Sequence, residues 1–205
     1  MNPPAVLSLN QFDDHQLAIQ DGTLYYIPGW LPQARAAHLY ACLKHELEWQ
    51  QGNVKVFGRW HPIPRLQAWY GDPSAIYGYS GKPLTPTPWH PELSQLRDEL
   101  ARYGIRSNAV LANLYRDGND KVGWHSDNEK ELGRHPVIAS ISLGSTRTFQ
   151  LKHKRTNERI DLELESGSLL LMAGTLQANW LHALPPRKRI TESRINLTYR
   201  MVESS

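Results

Sequence analysis

The chain has 205 residues, 40% hydrophobic and 21% charged, which excludes wholesale disorder and leaves room for one domain with a sizeable core. A total of 23 Lys and Arg against 20 Asp and Glu gives a net charge of +3, which permits a nucleic-acid partner without demanding one. The single cysteine, Cys42, excludes an internal disulfide and a cysteine-based metal cluster, and suits a reducing compartment.

The start, "MNPPAVLSLNQFDDHQ", carries no basic-then-apolar signal, and no apolar run approaches the ~20 residues that span a bilayer. A soluble intracellular protein is expected, in cytoplasm and nucleoid or in the nucleus, with no membrane partner. Residues 1–22 read as a flexible lead-in to a single domain over 23–205. "TLYYIPGW" reads as a strand ending at Pro28. Pro32 opens a helix whose apolar positions Ala36, Leu39, Tyr40, Leu43 and Leu47 follow the helical period. A second helix is predicted from about Pro91 to Tyr103, with Leu93, Leu96 and Leu100 on one stripe and Gly104 as its stop.

Between the helices, residues 54–89 are rich in Gly, Pro and aromatics, with short strand-like pieces, and are too long for a simple linker. From Asn108 onward short strands alternate with turns: "NAVLANLY", "PVIASISLG", "TRTFQLKH", "RIDLELE", "GSLLLMA" and "RINLTYRMV". Phe149 and Leu151 alternate with polar residues, as do Ile160, Leu162 and Leu164, so the two strands around "KRTNE" read as a hairpin. The expected fold is mainly β with flanking helices (α+β), a sandwich or jelly roll with two helices outside it.

The chemistry starts at "WHSDNE", residues 124–129. Taken alone, its His-x-Asp pair is read more plainly as a solvated loop than as a metal site. His182, in "NWLHALPP", changes that balance. Two imidazoles and one carboxylate leave three coordination positions open, which suits non-haem Fe(II) oxygen chemistry, whereas structural zinc usually takes four protein ligands. His15, His38, His45, His61, His90, His135 and His153 read as surface or packing residues.

"RINLTYR" is the most unusual strand. Side chains alternate, so Arg194, Asn196, Thr198 and Arg200 share one face, opposite Ile195, Leu197 and Tyr199. If that face is interior, its guanidinium groups need anions, and a dicarboxylate beside the metal would supply them. Asn113 and Tyr115 share a strand face that could add neutral donors. The alternative is an edge strand with its polar face in water.

The set "NLYRDG…WHSDNE…IASISLGSTRTFQLKHK…GSLLLMAG…WLHALP…RINLTYR" resembles the AlkB family of Fe(II)- and 2-oxoglutarate-dependent nucleic-acid dioxygenases, from about Val54 to Met201. The resemblance implies a double-stranded β-helix with an N-terminal helical layer and a nucleotide-recognition lid over about 54–89. It implies Fe(II) held by His125, Asp127 and His182, with 2-oxoglutarate and O2 as co-substrates. Asn113, Tyr115, Arg194, Thr198 and Arg200 match positions that hold 2-oxoglutarate, with Arg194 at the distal carboxylate and Arg200 nearer the iron.

Within the family, "VFGRWHPIPRLQAWYGD" and "YGYSG" resemble the branch that repairs alkylated DNA. Phe57 matches a finger that wedges into the base stack, and Arg65 a basic residue at the lid. Tyr77 and Tyr79 share one strand face by period 2, so both could touch a flipped base, with Ser80 beside them as a substrate contact; aromatic faces recover part of the unstacking cost, and the alternative is a packed hairpin face. Glu129 matches an acid facing the exocyclic amino group of a cationic lesion, and Arg147 a residue lining the base pocket. Gly78 and the second tyrosine depart from the family pattern. The implied reaction is oxidative demethylation of 1-methyladenine and 3-methylcytosine in single-stranded or duplex DNA, by a monomer. Three readings stay beside it: a same-fold oxygenase acting on RNA, protein or lipid; a nucleic-acid-binding module without turnover; and a structural-metal or storage jelly roll.

Overall fold

A computed structural model describes residues 10–56, 58–79 and 82–203. In chain order the first half contains β1 (Gln16–Leu17), β2 (Thr23–Ile27), α1 (Gln33–Glu46), β3 (Gln50–Val56), β4 (Arg59–Gly71), β5 (Tyr77–Tyr79), β6 (Lys82–Leu84) and α2 (Pro91–Ala101). The second half contains β7 (Ala109–Tyr115), β8 (Val122–His125), β9 (Ile138–Gly144), β10 (Arg147–His153), β11 (Arg159–Leu164), β12 (Leu169–Ala173), the short α3 (Leu176–Asn179), β13 (Trp180–Leu184) and β14 (Arg194–Arg200).

The strands form an eight-stranded sheet, in the order β1-β2-β12-β9-β14-β7-β4-β3, and a four-stranded sheet, in the order β11-β10-β13-β8. Alternation along each strand builds two cores. Leu24, Ile138, Leu170 and Met172 of the large sheet meet Phe149, Leu151, Trp180 and Leu184 of the small one. On the other face of the large sheet, Val110, Ala112, Ile195, Leu197 and Tyr199 pack against Leu39 and Leu43 of α1 and Leu93, Leu96 and Leu100 of α2. Those five leucines are fully buried, and each contributes about 1.5–3 kcal/mol by leaving water. The predicted jelly roll with two outer helices is therefore the observed one.

Local chemistry sets the helix ends. Pro91 takes the first turn of α2, where its missing N–H costs nothing, and the His90 ring accepts the Glu92 N–H. The helix ends at Ala101 rather than Tyr103, because Arg102 and Tyr103 tighten into three-residue hydrogen bonds before Gly104 turns at φ 78°. The predicted hairpin is present, with Phe149 opposite Leu162 and Leu151 opposite Ile160.

Two expectations differ. Residues 10–22 are built into the domain rather than a flexible lead-in. Phe12 is buried against Tyr103, β1 pairs with β2, and the Trp180 indole donates to the Gln20 carbonyl at 2.9 Å. The 54–89 segment is not one lid. Leu66–Gly71 of β4 pair with β7 inside the large sheet, whereas Asn53–Val56 pair with Arg59–Pro62 in the β3–β4 hairpin, and Tyr70 bridges to Thr87. Among the described residues no helix is long and apolar enough to cross a membrane.

Candidate active site

Strand pairing assembles the metal-binding candidates. β8 and β13 are antiparallel neighbours with His125 directly opposite His182, and a bulge follows before Leu184 meets Val122. Their rings lie 4.2 Å apart, centroid to centroid. The chain then turns past Ser126 and brings Asp127 back, so that donor atoms of His125, Asp127 and His182 all lie within 4.8 Å of one another. His125 Nδ1 is 2.9 Å from the Gly123 carbonyl, which places its proton on Nδ1 and leaves Nε2 as a lone pair 3.7 Å from Asp127 Oδ1. Phe149 stacks on His182 at 5.4 Å. Burial pushes the His182 imidazole down to about 3, so it is neutral and able to ligate at physiological pH.

Asp127 is buried, which alone would push its carboxyl up, but Arg200, His182 and His125 outweigh that and hold it below the usual carboxylate range. Arg200 Nη2 reaches Asp127 Oδ2 at 2.9 Å. The backbone N–H of Asp127 donates to Gln177 Oε1 at 2.9 Å, and Lys154 Nζ ties Ser126 Oγ to the Gln177 and Ala178 carbonyls. The ligand loop is thus fixed from both sides.

β14 is the fifth of the eight strands, flanked by β9 and β7, and all seven of its residues are buried, so its polar face is interior rather than an edge in water. Asn196 stands opposite Asn113 on one side and Ser142 on the other, and Thr198 opposite Leu111 and Ser140. Arg194 donates to Ser142 Oγ at 2.8 Å and lies 5.4 Å from the Tyr115 ring centroid. Burial lowers the Arg194 guanidinium to about 10, which still leaves it charged at neutral pH, and among the described residues it has no carboxylate partner. Its Nε, like that of Arg200, is buried without a hydrogen bond. Buried cationic donors without an anion fit a dicarboxylate. Asn113 Oδ1 accepts from Arg65 Nε at 2.9 Å and Gln67 Nε2 at 3.1 Å, which turns its amide nitrogen toward other acceptors.

These groups line one cavity of about 460 Å³, bounded by the metal-ligand candidates, the β14 polar face, and apolar Phe149, Met172 and Leu184. Trp124, 41% exposed, and Glu129 also line it, and Glu129 Oε2 is buried without a partner.

One predicted contact is corrected. Arg147 does not line the cavity. It is 1% exposed, and its guanidinium donates to the carbonyls of Asp117 (3.0 Å), Asp120 (2.9 Å) and Pro185 (2.8 Å), fastening two loops. A side chain spent on three carbonyls has no face for a base. Arg65, expected as a basic residue at the lid, is 8% exposed and lines the cavity beside Asn113. Phe57 and Ser80 lie outside the described residues. Tyr77 and Tyr79 fall on β5, which pairs with β6, and their side chains lie outside what is described. Sequence reasoning passed over Gln177, Ser140 and Ser142. The serines alternate along "IASISLG" with apolar residues, which was a readable signal, whereas Gln177 reaches Asp127 through tertiary folding alone.

The family model for the 2OG-Fe(II) oxygenase superfamily matches residues 23–200. A mouse protein (Mus musculus) named DNA oxidative demethylase ALKBH2 is 42% identical over 182 residues, covering 83% of this chain and 76% of its own. A bovine protein (Bos taurus) named alpha-ketoglutarate-dependent dioxygenase alkB homolog 3 is 38% identical over 186 residues, covering 85% of this chain and 64% of its own. A solved oxidoreductase of the 2OG-Fe(II) oxygenase family from Burkholderia pseudomallei has the same fold, with a TM-score of 0.61 at 12% identity over 88% of this chain and 87% of that one.

Proposed function

The chain belongs to the 2OG-Fe(II) oxygenase superfamily, and from that premise we propose that it is an oxidative demethylase of N-alkylated bases in DNA, acting on 1-methyladenine and 3-methylcytosine. One observation carries this reading: a single cavity joins the His125, Asp127 and His182 cluster to the Arg194 and Arg200 face, where both Nε atoms lack a partner among the described residues, with the unpartnered Glu129 Oε2 lining the same space. When bound, Fe(II), 2-oxoglutarate and O2 supply an oxidation that hydroxylates an N-methyl carbon, giving succinate and CO2, with formaldehyde lost from the hydroxymethyl base.

The residues of this chain bind and orient. His125, Asp127 and His182 would hold the metal, and Arg194 with Tyr115 and Asn113 would take the far carboxylate of the co-substrate. Arg200 and Thr198 would meet its nearer end, where Arg200 also holds Asp127 ionised. Phe149, Met172 and Leu184 keep water from the reacting carbon. Glu129 would face the exocyclic amino group of the lesion, and a carboxylate there favours the cationic 1-methyladenine and 3-methylcytosine. Phe57, Tyr77, Tyr79 and Ser80 would contact the extruded base and its strand from the lid side. A DNA substrate puts the work in the nucleoid or nucleus, by a monomer.

The test offers the protein, with Fe(II), ascorbate and 2-oxoglutarate, 3-methylcytosine in DNA, the same lesion in RNA, and a trimethyl-lysine peptide. Formaldehyde release fastest from DNA supports the proposal. Faster release from RNA or peptide overturns the DNA assignment.

A further inference from the structure

A second cluster of metal-ligating side chains lies on the other side of the large sheet. Cys42 and Glu46 are four apart on α1, so they share one helix face. His90, the residue capping α2, comes up beside them, and one donor atom from each of the three lies within 4.8 Å of the other two. The cavity is lined by Asn113, Tyr115, Asn196 and Thr198, whereas α1 and α2 pack on the alternate residues Ala112, Leu114, Ile195 and Leu197. The two clusters are therefore separated by the thickness of the sheet.

We propose that Cys42, Glu46 and His90 form a second metal site, suited to Zn2+, that clamps α1 to the start of α2. A single cysteine excludes a thiolate cluster but not a mixed site of one sulfur, one nitrogen and one oxygen. Such a set suits a borderline-soft divalent ion. Tetrahedral bonds of about 2.0–2.3 Å put ligand atoms about 3.3–3.8 Å apart, so the widest pair of the cluster closes by about 1.5 Å at most while the 2.9 Å Glu46–His90 pair opens slightly. The parts differ in freedom in the way a clamp needs. The His90 ring is 13% exposed, so packing holds it in place, while the Glu46 carboxylate is 58% exposed and can swing. Its Oε2 already stands 2.9 Å from His90 Nε2, and burial together with the neighbouring Glu46 pushes the Cys42 thiol up. Glu92 adds negative charge nearby, with His38 3.9 Å from it.

The proton balance is definite. Without metal, the Glu92 N–H points at His90 Nδ1, so the ring proton sits on Nε2 and is donated to Glu46. On binding, Nε2 gives its lone pair to the metal, the ring proton moves to Nδ1, and the cap to Glu92 is surrendered. The Cys42 thiol loses its proton to solvent and Glu46 is already ionised, so one proton is released per metal ion. A water completes the coordination.

The test titrates the whole metal-free protein with Co2+. The His125, Asp127 and His182 set contains no sulfur and Cys42 is the only cysteine, so a cobalt–thiolate charge-transfer band reports this site alone. The expected result is that band, bleached by added Zn2+, absent in Cys42→Ser and weakened in His90→Ala and Glu46→Gln. Zinc also slows maleimide labelling of Cys42 in the wild type and not in His90→Ala. All three variants keep wild-type oxygenase turnover, which shows that they fold. A folded protein with no thiolate band, whose Cys42 labels at one rate with or without zinc, overturns the proposal. So does a band undiminished by His90→Ala and Glu46→Gln, since the thiol would then be acting alone.

Discussion

Arg200 Nη2 stands 2.9 Å from Asp127 Oδ2, with both side chains under a tenth exposed, so the last strand of the chain is bonded directly to the loop that carries the candidate ligand Asp127. Arg194, six residues earlier on the same face, sits against Tyr115 and Ser142. One strand therefore carries a cation at each end of the cavity, one spent on a protein carboxylate and one unspent.

Removing the spent cation leaves a buried carboxylate unpaired. Arg200→Gln is expected to destabilise the metal-free protein by about 3–5 kcal/mol in urea denaturation at pH 7. Because the folded Asp127 carboxyl lies below its ordinary range, its contribution is present above that range and is lost as pH falls through the folded value. Arg200→Gln should therefore lose its deficit relative to wild type on acidification below about pH 4. A variant as stable as wild type at pH 7 would contradict the pairing.

His182 governs a different window. Unfolded histidine takes up a proton near pH 6.5, whereas burial holds folded His182 down to about 3. Its neutral burial stabilises fully above about 6.5, and the metal-free protein loses stability as pH falls from there towards about 3. Denaturation midpoints between pH 7 and 4.5, above the Asp127 range, should fall in wild type and stay flatter in His182→Phe. Equal slopes would contradict the assignment.

Glu129 is expected to set lesion preference through charge. Glu129→Gln keeps the shape and removes the anion, so kcat/KM for 3-methylcytosine should fall about 10- to 100-fold, the worth of one hydrogen bond to a charged group. A neutral alkylated base should be affected less. Equal losses on both, measured as formaldehyde release, would remove the carboxylate from recognition.

Arg147 tests the correction to its predicted role. Arg147→Met strands carbonyls of Asp117, Asp120 and Pro185, at about 1–3 kcal/mol for each that water does not reach. Thermal melting should fall clearly, while the KM for a lesion oligonucleotide measured well below the melting point stays unchanged. A raised KM with unchanged melting would return the residue to the base pocket.

The pattern of particular residues explains what was legible. "RINLTYR" showed its two-faced nature because a strand's period of two is local, but the pattern left its polar face open between interior and water, and the flanking strands and burial decide for interior. His125 and His182 were found by residue type, although their cross-strand register is a tertiary fact. Arg147 was misplaced because sequence gives a guanidinium's position on a strand but not which carbonyls the loops bring to it. The outer cluster failed for the same reason. Cys42 and Glu46 share a visible helical spacing, but His90 lies 44 residues beyond Glu46 and joins them through the packing of α1 beside α2.

The most direct measurement follows methyl loss from a 3-methylcytosine oligonucleotide by mass spectrometry, single-stranded and duplex, with Fe(II) and 2-oxoglutarate, for wild type and His125→Ala. The account predicts that wild type removes the methyl with one succinate formed per methyl lost, and that His125→Ala removes none. Folded, iron-loaded wild type that leaves the methyl in place on both substrates and forms no succinate would contradict it.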